Sequence, residues 1–176
     1  MGRLHRRAVL VLGMLGCTGE DKDCDLCAGG CEETIQSRDA SHETGYLDYD
    51  DPPPTGGDHN PCWAAWGVHS EEVRDEFWVH NLEHGGVAFL YNCPEGCADD
   101  VATLGGYVQT LGPTALLTPY AALPTRYAAV AWEHRLLQDC LDLGAMQAFY
   151  QDHVDNGPES STSSPSEGCM GSGDGG

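Results

Sequence analysis

The chain has 176 residues, with 8 Lys and Arg against 28 Asp and Glu and a formal net charge of −20. That length admits one domain with tails. Nucleic-acid affinity comes largely from basic side chains that neutralise phosphates, so a surface this acidic excludes nucleic acid as a partner.

The N-terminus carries Arg3, His5, Arg6 and Arg7 ahead of an apolar run from Ala8 to Leu15. The run is too short to span a bilayer and fits the hydrophobic region of an export signal over residues 1–16. It ends Met14-Leu15-Gly16-Cys17, which resembles a bacterial lipobox with Cys17 as the lipid-accepting residue. An ordinary signal peptide cut elsewhere, or a short uncleaved anchor, is the alternative. Arg6-Arg7 hints at twin-arginine export, although its flanks match that route poorly. The expectation is an exported protein, lipid-anchored to the membrane on the periplasmic or extracellular face of the envelope. Nine cysteines suit such an oxidising compartment. With Cys17 lipidated an even set of eight remains, as disulfide pairing requires.

Residues 17–42 are polar and Cys-rich and read as a tether. Residues 157–176 are a Gly/Ser-rich tail, and the globular domain is expected over 43–156. Within it, three prolines forbid helix over Asp50–Gly57. Residues 71–84 fit either a helix capped by Ser70 and ended by Gly85, or a strand from Phe77. Val87–Tyr91 is an apolar, β-prone run, expected as a buried strand. Asp99–Leu111 has helical spacing, weakened by Gly105 and Gly106. Ala115–Thr118 and Tyr127–Leu136 read as two strands, and Leu143–Val154 as an amphipathic helix stopped by Gly157-Pro158. The fold class is therefore α+β: after an irregular Pro/Gly-rich start, a small mixed sheet in the order strand-helix-strand-strand-helix, with helices packed on it.

The densest chemistry lies in His80-Asn81-Leu82-Glu83-His84-Gly85-Gly86. Two histidines four apart share a face of a helix, and imidazole pairs commonly begin metal sites. In a straight strand they would stand about 13 Å apart. His59, in the constrained segment upstream, is the natural third ligand. Glu83 is expected to ligate, to hold an imidazole, or to act as a general base. The letters also fit H-x-x-E-H, but that peptidase arrangement needs a helix continuing past the motif, and Gly85-Gly86 ends any helix there. Imidazole ligation suits Cu or Zn. Only Met146 and Met170 follow Cys17, too few for copper handling through thioethers. His42, His69, His134 and His153 are expected as solvated or capping residues, and Trp63, Trp66, Trp78 and Trp132 as core or site lining.

Pro53-Pro54-Thr55-Gly56-Gly57-Asp58-His59, then Val79 to Val87, then Leu90-Tyr91, then Ala131-Trp132 resembles a bacterial family catalogued as domain of unknown function 3105, found in exported or membrane-anchored proteins. The resemblance covers most of residues 46–159. Where Gly57 and Asp58 stand, the family pattern usually has Ser and Pro. It carries His59, His80, Glu83 and His84 together, which implies those four as a metal-ligand set, and it implies no activity.

The cysteines offer a competing chemistry. Strand 87–91 runs into Cys93-Pro94-Glu95-Gly96-Cys97 and then a helix, which looks like the thioredoxin layout, where a helix N-terminus lowers a thiol pKa. The C-x3-C spacing departs from C-x-x-C. The favoured expectation is two structural disulfides among Cys62, Cys93, Cys97 and Cys140, with Cys24, Cys27, Cys31 and Cys169 forming others or being incidental.

Overall fold

The computed structural model describes residues 24–37 and 40–160. The expected export signal, Cys17 and Cys169 lie outside them. Among the described residues no helix is long and apolar enough to cross a membrane.

The chain is α+β, a six-stranded mixed sheet with three helices. The strands are β1 (Cys31–Thr34), β2 (Gly67–Val68), β3 (Val87–Tyr91), β4 (Ala115–Pro119), β5 (Tyr127–Ala131) and β6 (His134–Gln138), in spatial order β1-β6-β5-β3-β4-β2. The helices are α1 (Asp75–Glu83), α2 (Ala98–Leu111) and α3 (Leu143–His153). β3 runs parallel to β4 and antiparallel to β5, and β2 runs parallel to β4.

β3 and β5 read as unbroken apolar runs because helices cover both faces of the sheet. Successive side chains alternate between faces. Ala88 and Leu90 join Trp78, Val79 and Leu82 of α1 in one core layer. Val87 and Phe89 join Leu104 and Val108 of α2 and Met146 and Phe149 of α3 in the other. β3 is thus entered from a helix on one face and left through a helix on the opposite face.

Five expectations need correction. Ser70 does not cap α1, which begins at Asp75 with Arg74 at the cap position and no side-chain cap bond. The preceding residues lie along β4 instead: His69 N–H donates to Leu117 O and Val73 N–H to Thr118 Oγ1. Asp75 and Glu76 in the first turn complement the helix dipole.

Tyr127–Leu136 is not one strand but a hairpin, so the order after Gly86 gains a strand. Ala131 pairs with His134 across a two-residue turn in which Glu133 has φ 64°. A glutamate rarely adopts that conformation. Here the surroundings hold it: Glu133 N–H donates to Thr55 O, its carbonyl accepts from Ile35 N–H, and its carboxylate accepts from Ser37 N–H.

The Cys-rich segment is not merely a tether from Cys24 onward, because Cys31–Thr34 forms edge strand β1 on β6. Arg135, 7% exposed, ties this edge to the Pro-rich segment through Glu33, the Asp51 carboxylate and Pro53 O. Residues 157–159, expected in the tail, pack on the end of α1, where Glu159 N–H donates to Glu83 O.

The disulfides also differ from expectation. Cys93 pairs with Cys97, but Cys140 pairs with Cys27, outside the expected set, and Cys24 pairs with Cys31. Cys62 is disulfide-bonded as well. Leu26 O accepts from the backbone N–H of Asp139 and Cys140, so the segment before β1 is already laid against the strand end where Cys140 sits. These bonds fit an exported protein in an oxidising environment.

Asp75 makes the fold pH-sensitive. Burial, above all, pushes its carboxyl up to about 6, with neighbouring Glu76 and Glu72 adding to the rise and the Tyr120 hydroxyl, donating at 2.7 Å, opposing it. A folded pKa above the unfolded value gives stability present below about pH 4 and lost as pH rises through about 6. Asp75→Asn keeps an acceptor for Tyr120 and removes the buried charge. Its unfolding free energy, relative to the parent chain, is expected to be higher at pH 7 than at pH 4; urea titrations at the two pH values check the sign.

Candidate metal centre

α1 places His80, Glu83 and His84 on one face by their spacing of three and four. The helix ends there because Gly85 takes φ +82° and β3 begins at Val87. A Cβ on Gly86 would fall 2.3 Å from the Trp66 ring, so the turn into β3 admits no side chain at that position.

His59 approaches from the Pro/Gly segment. It is fully buried and bridges in parallel with His42: His59 N–H donates to Ser41 O, and Glu43 N–H to His59 O. Asp58, where the resembled pattern has Pro, accepts from Ser41 N–H and fixes the same junction.

The four side chains His42, His59, His80 and Glu83 thereby converge, with one ligand atom from each within 4.8 Å of all the others. His59 Nε2 lies 3.0 Å and His42 Nε2 3.8 Å from Glu83 Oε2. The rings of His42, His59 and His80 stand 4.8–4.9 Å apart, centroid to centroid. His59 Nδ1 is 2.9 Å from Gly57 O and His80 Nδ1 is 2.7 Å from Asn60 O. A carbonyl only accepts, so each Nδ1 carries the hydrogen, which orients a ligating imidazole and leaves Nε2 with its lone pair; on His80 that nitrogen meets His84 Nε2 at 3.0 Å. Burial, followed by the neighbouring rings of His59, His84 and His42, lowers His80 to about 4, against the Asn60 carbonyl that raises it. His80 is therefore neutral at pH 7.

His59 Nε2 and Glu83 Oε2 are both buried and face each other at 3.0 Å, with no hydrogen bond to any other group. A cation between them would be held by both atoms at once. The site is closed on the His59 and Glu83 side and open at His42, whose side chain is 49% exposed.

Of the four residues expected, His59, His80 and Glu83 come together. His84 stands one step aside at the end of the helix: its Nε2 is 3.0 Å from His80 Nε2 and 4.0 Å from a Glu159 carboxylate oxygen. Trp63 packs edge-on against both rings. Glu159 reaches this point because its N–H donates to Glu83 O and Asp155 N–H donates to Gly85 O. His42, expected to be solvated, is the fourth member. Its only signal is a non-local bridge to His59, which no local pattern reveals. A second, shallower grouping joins Glu32, His134 and His153, with His153 Nε2 2.9 Å from Glu32.

Asn81, between the ligands, holds the loop that holds them. It is 1% exposed, and its amide accepts from Ala64 N–H and donates to Ala64 O at 2.9 and 3.0 Å. Asn81→Ala strands Ala64 O and leaves Ala64 N–H only its longer bond to Phe77 O at 3.3 Å. The expected loss of stability is about 2 kcal/mol by urea unfolding; a loss below about 1 kcal/mol would show that the loop is held elsewhere.

No curated protein and no solved structure gives a significant match to the chain. The profile of a family described as "Protein of unknown function (DUF3105)" matches residues 41–166. The match takes in all four converging residues and begins after β1, which lies outside it. The chain therefore belongs to the DUF3105 family of proteins of unknown function.

Proposed function

We propose that this domain binds one transition-metal ion, Zn(II) or Cu(II), through His42, His59, His80 and Glu83, while tethered to the envelope by a lipid on Cys17. The buried His59 Nε2 and Glu83 Oε2, which face each other at 3.0 Å with no hydrogen bond to any other group, carry the reading. Three imidazoles and one carboxylate suit either ion. His84 borders the set, with its Nε2 3.0 Å from the coordinating Nε2 of His80, and it also forms a grouping with Glu83 and Glu159. A catalytic role for Glu83 as general base is the second reading, and it is disfavoured because Glu83 Oε2 points into the ligand cluster. Glu83→Gln separates the two: metal retained with an activity lost supports a base, whereas metal lost supports a ligand.

The test is metal analysis of untagged protein, followed by titration of the metal-free form with Zn(II) and with Cu(II). One equivalent bound is expected. Absence of binding by both ions would sink the proposal. Labelling with a radioactive fatty acid, lost in Cys17→Ser, tests the anchor separately.

A further inference from the structure

At the opposite end of β3 from the histidines lies Cys93–Cys97. The histidine helix precedes Val87 and the cysteines follow Tyr91, so five residues of strand, about 16 Å, separate the two. We infer that Cys93–Cys97 is a thiol–disulfide exchange centre that takes electrons from dithiols of other exported proteins. Nothing in this inference depends on the metal reading.

Its place in the sheet is the first support. β3 lies between β4 and β5, with α1 entering from one face and α2 leaving on the other. The carboxyl end of such a strand is where open sheets leave a crevice for a ligand. A cleft of about 400 Å³ is found there, lined by Gly96, Cys97, Asp100 and Arg126 among others.

The sulfur environments are the second. Cys97 occupies the cap position of the 14-residue α2. Its thiolate would face the free amide ends of that helix, where negative charge is stabilised. The Arg126 guanidinium, donating to Gly96 O at 3.4 Å, adds positive charge beside it, against the acidic Asp99 and Asp100 of the first turn. Cys93 Sγ is 3.8 Å from the hydroxyl of buried Tyr127, and that hydroxyl donates to Asp100 Oδ2 at 2.5 Å. A sulfur, a phenol and a carboxylate in series form a proton route that a structural staple does not need. The bond also spans only four positions, against 7 for Cys24–Cys31 and 113 for Cys27–Cys140, so of these three it constrains the unfolded chain least.

In the exchange, a substrate thiolate attacks Cys93 Sγ. The Cys93–Cys97 bond breaks, Cys97 leaves as a thiolate at the start of α2, and a mixed disulfide forms on Cys93. The second substrate thiolate then attacks its own partner's sulfur in that mixed disulfide. The substrate disulfide forms, and Cys93 leaves as a thiolate that receives a proton through Tyr127 and Asp100. The substrate dithiol is oxidised by two electrons and Cys93–Cys97 is reduced to a Cys93 thiol and a Cys97 thiolate. The reverse exchange with another protein disulfide restores it.

Native protein held in graded glutathione redox buffers, then alkylated and mapped by mass, tests the proposal. Cys93–Cys97 is expected to open at least about tenfold faster than Cys24–Cys31, with the circular dichroism of the fold retained. In Cys97→Ser, Cys93 is expected to hold a stable mixed disulfide with glutathione. In Tyr127→Phe, the pH profile of the opening rate is expected to change while the disulfide still forms. Opening of Cys93–Cys97 only on unfolding, or after Cys24–Cys31, would overturn the exchange role, as would failure of Cys97→Ser to trap glutathione. An unchanged pH profile in Tyr127→Phe would overturn the proton route.

Discussion

Saturating Zn(II) is expected to raise the melting temperature of the metal-free protein, and His59→Ala or His80→Ala to abolish that rise. An ion present at 100 times its dissociation constant adds about 2.7 kcal/mol to folding, on the order of 10 °C for a domain of this size. His59 and His80 are buried, and each is aimed by a carbonyl on Nδ1. Even partners that only orient a ligand are worth roughly 10–100-fold in metal affinity, so deleting either ligand is expected to cost at least about 100-fold. His42 differs. Its side chain is half exposed and stands farther from Glu83, so water replaces it readily. His42→Ala is therefore expected to weaken binding roughly tenfold while keeping most of the thermal gain at high metal. Differential scanning fluorimetry with and without metal reads all three variants against their own metal-free baselines. A thermal gain that survives in His59→Ala and His80→Ala alike would remove the site.

What the chain reveals before folding, and what it hides, follows the range of the interactions. β3, α2 and α3 are legible because their patterns are local: a five-residue apolar run, and apolar residues at helical spacing up to a glycine. α1 is only half legible, since the same residues also fit a strand from Phe77, and the structure decides for the helix that Gly85 stops. Its start is hidden, because the residues after Ser70 lie along β4, with Val73 giving its amide to Thr118. The β5–β6 turn is hidden for the same reason. Trp132-Glu133 carries no turn residue, and Glu133 is held at φ 64° by backbone groups of Ile35, Ser37 and Thr55, far away in sequence. Within the site, the residues on α1 are readable and His59 follows from its constrained segment. His42 is not, because a parallel bridge between two irregular segments leaves no periodicity. The same holds for Cys140, whose partner lies 113 residues away in a stretch that composition alone marks as tether.

Removal of the Cys27–Cys140 disulfide is expected to cost the most stability of any single covalent change among the described residues. In the chain-entropy account a crosslink closing 113 residues stabilises by about 5 kcal/mol, against about 2 kcal/mol for Cys93–Cys97. The double substitution Cys27→Ser with Cys140→Ser leaves no unpaired thiol to scramble. It also frees the segment before β1, which Leu26 O otherwise joins to Asp139 and Cys140. What then holds β1 is its four-residue ladder with β6, the ion pair of Arg135 with Glu33 at 2.7 Å, the His153–Glu32 contact at 2.9 Å and the bonds of Ile35 and Ser37 N–H to Glu133 just beyond the strand. A short edge strand and half-exposed side-chain pairs are marginal by themselves, since exposed pairs contribute about 0–1 kcal/mol. The expected outcome is a loss of about 3–5 kcal/mol in urea unfolding. Faster hydrogen exchange should accompany it at Glu32–Thr34, with β3 and β5 still protected. The segment that carries His59 is joined to the end of this edge through Glu133, which bonds Thr55 O, Ile35 N–H and Ser37 N–H without the disulfide, so metal affinity is expected to stay within about twofold. A loss below about 1 kcal/mol would show that β1 docks through its ladder and Arg135, with the disulfide only recording that docking. Loss of metal binding together with β1 would show instead that Arg135, which also grips Asp51 and Pro53 O, transmits the order of the sheet edge to the segment that carries His59.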